Sequence, residues 1–149
     1  MKVLTKNTDY AIRALMGLAR QADPQAFINV KALAGQQQIP YAFLRRIMQA
    51  LLKAGYVRVR EGRAGGFQIH KPPSEIRILD LIRLFQGEIV LSECMFRKKL
   101  CGNRATCVLR HEILRIEQMV NQEFGAMTLQ GLLEDRKSTR LNSSHVSQS

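Results

Sequence analysis

IPYAFLRRIMQALLKAGYVRVREGRAGGFQIHK, residues 39–71, decides the fold of this 149-residue chain. From Tyr41 to Ala54 the apolar residues Leu44, Ile47, Met48, Leu51 and Leu52 fall on one arc at roughly 100° per residue. Ala42, Arg46, Gln49 and Lys53 lie together on the other side, with Arg45 at the margin. That is an amphipathic helix with a basic face, and taken alone it describes many solvated helices. Gly55 stops it, Tyr56 to Arg60 alternates like a strand, Glu61 to Gly66 is a glycine-rich turn, and Phe67 to Lys71 is a second strand. Gly62, Gly65 and Gly66 permit positive φ and a close backbone approach, while Arg58, Arg60 and Arg63 carry charge suited to a minor groove or to phosphates. The Gly-x4-Gly-Lys-Ser/Thr pattern of a phosphate-cradling loop is absent.

Working upstream, Ala11, Ala14, Leu15, Leu18 and Ala19 predict a helix over 8–20, with Thr8 as N-cap, Asp9 in the first turn and Asp23-Pro24 beyond its end. A second helix fits Val30–Gln37 behind Asn29, and Ile39-Pro40 turns into the third about three residues later, the spacing of a helix-turn-helix. Helix, helix, hairpin is the order of a winged helix. Downstream, Pro72-Pro73 marks a boundary and Ile78–Phe85 predicts a closing helix. Gly87 opens a cysteine-bearing loop, and Ala105–Phe124 predicts a long helix with Leu109, Ile113, Ile116, Val120 and Phe124 in a seam. Core packing and a dimer seam account for that spacing equally well. Thr128 caps a short helix over 129–133.

The expected class is mainly α with a small β-hairpin wing. Residues 1–86 form a winged helix-turn-helix domain, 87–107 the cysteine loop, and 108–135 a dimerisation helix plus a short C-terminal helix. The tail RKSTRLNSSHVSQS, 136–149, lacks apolar periodicity and is set apart as disordered or non-native.

Twenty-three Lys and Arg against twelve Asp and Glu give a formal charge of +11 and a pI near 10.2. Removing the tail's Arg136, Lys137 and Arg140 leaves +11 − 3 = +8 over residues 1–135. Such a balance favours a polyanionic partner, nucleic acid first. No long apolar run suggests a membrane span, and Lys6, Asp9 and Arg13 interrupt the place of a signal peptide, so the expectation is a cytoplasmic protein. Catalysis is not expected: a cysteine near His111 has no oxyanion turn or orienting third group.

Cys94-x6-Cys101-x5-Cys107 contains every cysteine in the chain. An odd count in one short segment without a secretion signal points to metal or cluster ligands rather than disulfides. The spacing is wider than a zinc knuckle, although Cys107-x3-His111 would complete a Cys3His set on one helical face. Arg97, Lys98, Lys99, Arg104 and Arg110 would favour thiolates, or simply form a solvated basic loop. Buried or incidental thiols are the plainer alternative.

LTKNTDYAIRALMGLA (4–19), IPYAFLRRIMQALLKAGYVR (39–58), GRAGGF (62–67) and the three cysteines before a long helix together resemble the IscR/NsrR-type, or Rrf-type, family of winged-helix transcriptional regulators. The resemblance runs from Met1 to about Glu134. It implies a homodimeric regulator, read as a repressor, on a roughly palindromic double-stranded DNA operator. The DNA-binding residues are then Tyr41, Arg45, Arg46, Gln49, Lys53, Arg60, Arg63, Gly65 and Gly66. It also implies an iron–sulfur cluster on Cys94, Cys101 and Cys107 that senses nitric oxide, redox state or iron supply. A 4Fe–4S cluster is preferred to 2Fe–2S, with zinc as the alternative. The fourth ligand is Asp9 supplied in trans, which matches an aspartate of nitric-oxide-sensing relatives, or else His111. Departures from the family are Glu61 and Ala64, where relatives often carry Arg and Gly, and Arg110, which stands where some relatives have a histidine.

Overall fold

The computed structural model describes residues 3–91 and 107–135. Helix α1 is Lys6–Ala19, α2 is Val30–Gln37 and α3 is Tyr41–Lys53. Strands β1 (Val57–Arg60) and β2 (Gly66–Ile69) follow, and then a 3-10 turn at Pro73–Glu75, α4 (Ile78–Gln86) and α5 (Val108–Ala126). A last helix, α6, occupies 129–135. This is the mainly helical winged helix that the sequence predicts.

Local chemistry sets most boundaries. The Asn29 side chain accepts from the Ala32 N–H at 2.7 Å and starts α2 where expected. Gln38, in a left-handed conformation at φ 54°, ends α2 and turns the chain toward Ile39. Gly55 at φ 85° follows α3. The cap of α1 differs from expectation: it is Thr5, whose hydroxyl accepts from the Thr8 N–H at 3.4 Å. Thr8 lies one turn inside the helix and fully buried, because its hydroxyl is taken by Gln86 Oε1 at 2.7 Å.

The hairpin is antiparallel, with Val57 opposite Ile69 and Arg60 opposite Gly66. Tyr56, expected in the strand, instead closes its open end: its carbonyl accepts from the N–H groups of both His70 and Lys71, at 2.9 and 3.2 Å. Burial pushes the Tyr56 phenol pKa up, and the Asp80 carboxylate adds to the shift. Beyond Val57, β1 is exposed on both faces, as suits a projecting wing. A contact that local patterning does not reveal joins Ile28 to Phe67 through two backbone hydrogen bonds of 2.9 and 2.7 Å, so the strand end before α2 pins the root of the wing.

Leu15, Leu33, Leu44, Met48, Leu51, Ile76, Ile78, Leu81 and Ile82 fill the core, with α1 packed against α2, α3 and α4. Leu129 also reaches full burial, and a backbone bridge between Arg77 and Thr128 fastens α6 to the start of α4. The expected cap of α6 is present, since the Gly131 N–H donates to Thr128 Oγ1 at 3.0 Å. Helix α5 begins at Val108 rather than Ala105, and no residue on it is fully buried. Its seam divides: Val120 and Phe124 pack toward the core while Leu109 and Ile116 are exposed.

Candidate nucleic-acid interface and metal ligands

The apolar arc of α3 goes into the core and leaves Tyr41, Arg45, Arg46, Gln49 and Lys53 exposed. Tyr41, Ala42, Arg45, Arg46 and Gln49 line one open depression of about 420 Å³. Of the residues predicted on this helix, Lys53 alone lies outside the depression, at the last helical position. A helix presenting guanidinium and amide groups around a shallow open surface can donate to guanine edges, bond adenine and contact phosphates. Phe43 is the residue the sequence reading missed. Its half-exposed ring lies under the Arg46 guanidinium, with Cζ 5.6 Å from the ring centroid. The signal available was an aromatic residue standing off the apolar arc, three positions before an arginine.

The wing packs beside α3 through β1. Arg60 lies over the Phe27 ring with its Cζ 4.1 Å from the centroid, and Arg63 is exposed in the turn. Gly62 and Gly66 have φ of 107° and 155°. Gly65 does not adopt positive φ, contrary to expectation; a Cβ there would collide with the Arg60 carbonyl. At Gly66 a Cβ would collide with the backbone of Ile28 and Asn29. Both glycines therefore have packing roles in the hairpin.

On α1, the Asp9 carboxylate pairs with the Arg13 guanidinium at 3.0 Å with its side chain 53% exposed. Arg13 also donates to the Gln37 carbonyl at 3.3 Å and lies over the Tyr10 ring at 5.1 Å. The Tyr10 ring in turn meets Phe43, centroid to centroid at 6.5 Å.

Cys94 and Cys101 fall outside the described residues, so Cys107 alone of the predicted thiols can be placed. It is half-buried at the N-cap of α5, where its carbonyl accepts from the His111 N–H at 3.2 Å. It therefore precedes the helix rather than lying within it. His111 is exposed, one turn along. Among the described residues no group of three or more His, Cys, Asp or Glu is gathered closely enough to hold a metal. Cys107 nevertheless carries the soft sulfur donor that iron or zinc takes, at the N-terminal end of a 19-residue helix. The segment leading to Cys94 is tied to the same helix, where the Leu91 N–H donates to Glu117 Oε2 at 3.2 Å. No helix among the described residues is long and apolar enough to cross a membrane.

Against known proteins, the model of the Rrf2 family, described as an iron-dependent transcriptional regulator, matches residues 4–135. The chain is 33% identical over 135 residues to the HTH-type transcriptional regulator NsrR of Oceanobacillus iheyensis, covering 90% of this chain and 91% of that one. Its fold is similar to that of T. potens IscR, with a TM-score of 0.71 at 21% identity over 93% of this chain and 90% of the other. It is also similar to CymR, the global cysteine regulator of B. subtilis, at TM-score 0.74 and 22% identity over 90% of this chain and 98% of the other.

Proposed function

The chain belongs to the Rrf2 family of transcriptional regulators, which are not enzymes, and from that premise we propose that it is a cytoplasmic, homodimeric DNA-binding repressor controlled by an iron–sulfur cluster. The observation that carries the DNA reading is the open depression on α3, where Arg45, Arg46 and Gln49 stand together beside a wing bearing Arg60 and Arg63. Arg46 and Gln49 meet base edges, Tyr41, Arg45 and Lys53 meet the backbone, and the wing enters the adjacent minor groove or meets phosphate. Residues 1–86 supply this module, 87–107 the cluster loop and 108–135 the dimer contact, while 136–149 takes no part.

Cys94, Cys101 and Cys107 hold the cluster, preferably 4Fe–4S, with Asp9 of the other subunit as fourth ligand in preference to His111. The exposure of the Asp9 carboxylate supports a role across an interface, provided that it leaves Arg13. A bound cluster supplies a centre that nitric oxide, oxygen or iron limitation can alter. Because Cys107 stands at the N-cap position of α5 and Leu91 is tied to Glu117, a cluster on these cysteines acts on how α5 sits against α4. That sets the separation of the two copies of α3 across the dimer. Zinc on three cysteines and His111 is the second reading, supported by Cys107 and His111 lying one turn apart.

The test is anaerobic purification followed by titration of a duplex selected by the protein from a random pool. Iron and acid-labile sulfide should be present, each Cys→Ala variant should lose most of both, and holo and apo forms should differ in affinity by about 5–150-fold. Arg46→Ala should cost about 1–3 kcal/mol of specific binding. Stoichiometric zinc without iron would replace the cluster reading, equal affinities would remove the sensing, and salt-insensitive binding would remove the DNA contact.

A further inference from the structure

Arginine has a long side chain with several rotatable bonds, so a guanidinium that reads a base needs something to limit its directions. Nothing on the exposed face of α3 at Arg46 is a carboxylate: the described ion pairs involve Arg13, Arg83 and Arg115. What touches the Arg46 guanidinium is the ring of Phe43, three residues earlier and hence next to it on the helix surface. Phe43 is 47% exposed and is not a member of the buried core, so core packing does not account for an aromatic residue there.

The ring is itself located. Tyr10, on α1, meets it at 6.5 Å with the planes inclined at 56°. Tyr10 is covered by Arg13, which donates to the Gln37 carbonyl and is held there whether or not Asp9 stays paired with it. Arg46 meanwhile stands on a ridge. On one side is the depression shared with Tyr41 and Gln49; on the other is a cleft of about 230 Å³ that Phe43 and Arg46 line together with Phe85 and Ala50. A guanidinium on that ridge has open space on both sides.

We propose that Phe43 is a positioning residue for base readout: its ring, backed by Tyr10, holds the Arg46 guanidinium at the edge of the DNA-facing depression and so sets sequence discrimination without touching DNA itself. This rests on the reading of α3 as the DNA-reading helix. Non-specific affinity comes from the summed charge and is indifferent to the direction of one guanidinium, whereas discrimination between base pairs depends on it.

The experiment compares full-length wild type, Phe43→Leu, Phe43→Tyr and Arg46→Ala. Each is titrated with the duplex that wild type selects from a random pool, with the same duplex changed at single base pairs, and with a scrambled duplex. Phe43→Leu should lose about fivefold in discrimination at the base pairs where Arg46→Ala also loses it, with scrambled-duplex affinity and salt dependence unchanged. Phe43→Tyr, which keeps the ring, should discriminate as wild type does. Phe43→Leu added to Arg46→Ala should change nothing further. Arg46→Ala losing discrimination while Phe43→Leu keeps it would overturn the positioning role alone. A wild type that selects no sequence, or an Arg46→Ala variant that selects the same one, would overturn the DNA-reading assignment of α3 instead. A Phe43→Leu variant that loses scrambled-duplex affinity in parallel with discrimination, or a Phe43→Tyr variant that behaves like Phe43→Leu, would also overturn the proposal.

Discussion

Gly66 and Gly62 stand four residues apart in the same turn, both at positive φ, yet the space around them differs. A Cβ on Gly62 meets nothing within 4 Å, whereas one on Gly66 runs into the backbone of Ile28 and Asn29. Backbone cannot rotate aside as a side-chain end can, so Gly66→Ala must either break the Ile28–Phe67 bridge or displace the wing. Gly66→Ala is expected to cost about 3 kcal/mol and Gly62→Ala about 1 kcal/mol, read by urea unfolding. Equal costs would mean that the wing root yields and that φ alone governs both sites. The sequence reading gave all three wing glycines the same two reasons, positive φ and a close backbone approach to a partner. Positive φ holds for Gly62 and Gly66 but not for Gly65, where a Cβ would meet the Arg60 carbonyl. Local conformation can be inferred from a run of glycines, but the atom facing each missing Cβ cannot.

Among whole elements, what the sequence made legible was local and what it hid was distant. The Asn29 cap, the apolar arc of α3 and the stop at Gly55 all arise from residues within a turn or two of each other. The cap of α1 was misplaced because Thr5 and Thr8 have the same chemistry, and the choice between them is made by Gln86, 78 residues beyond Thr8. The basic face of α3 followed from periodicity, but Phe43 was passed over because an apolar side chain on a polar face carries no meaning until its neighbour is known. Gln86 ties α4 to α1 and the residues leading into it three times: Oε1 accepts from the Thr5 N–H at 3.0 Å and the Thr8 hydroxyl at 2.7 Å, and Nε2 donates to the Val3 carbonyl at 2.7 Å. Thr8→Val removes one of these bonds and keeps the volume, so about 1 kcal/mol is expected. Gln86→Ala removes all three and leaves the buried Thr8 hydroxyl only Thr5 Oγ1, 3.2 Å away, so about 2 kcal/mol is expected. Thermal melts of the two variants decide the matter; a costlier Thr8→Val would place the stabilisation in the Thr5–Thr8 contact instead.

At the scale of the molecule, the charge that draws the chain to DNA opposes its pairing with itself, since two copies at +11 repel. A stable dimer must offset that repulsion with apolar contact, and the exposed apolar residues of α5 offer a run of it along one helix. Val108, Leu109, Ile116 and Met119 are 75%, 68%, 44% and 52% exposed, while Val120 and Phe124, farther along the helix and beside this arc, are already committed to the core. On a 3.6-residue period these four fall within one arc of about 100°, wide enough for a helix–helix seam. Glu112 and Arg115, which also lie toward this arc, are paired with each other at 3.0 Å and so bring no net charge to it. The expectation is a wild type that sediments at twice 16.9 kDa and melts at a temperature that rises with protein concentration. Leu109→Lys with Ile116→Lys should give a monomer whose melting no longer depends on concentration, with the winged helix intact because neither side chain reaches the core. On a duplex carrying two half-sites that monomer should bind at least about 100-fold more weakly than wild type, yet match it on a single half-site, since joining two modules raises affinity through effective concentration alone. A double variant that remains dimeric would move the interface off α5, and one that is monomeric but undiminished on the two-half-site duplex would separate dimerisation from operator binding.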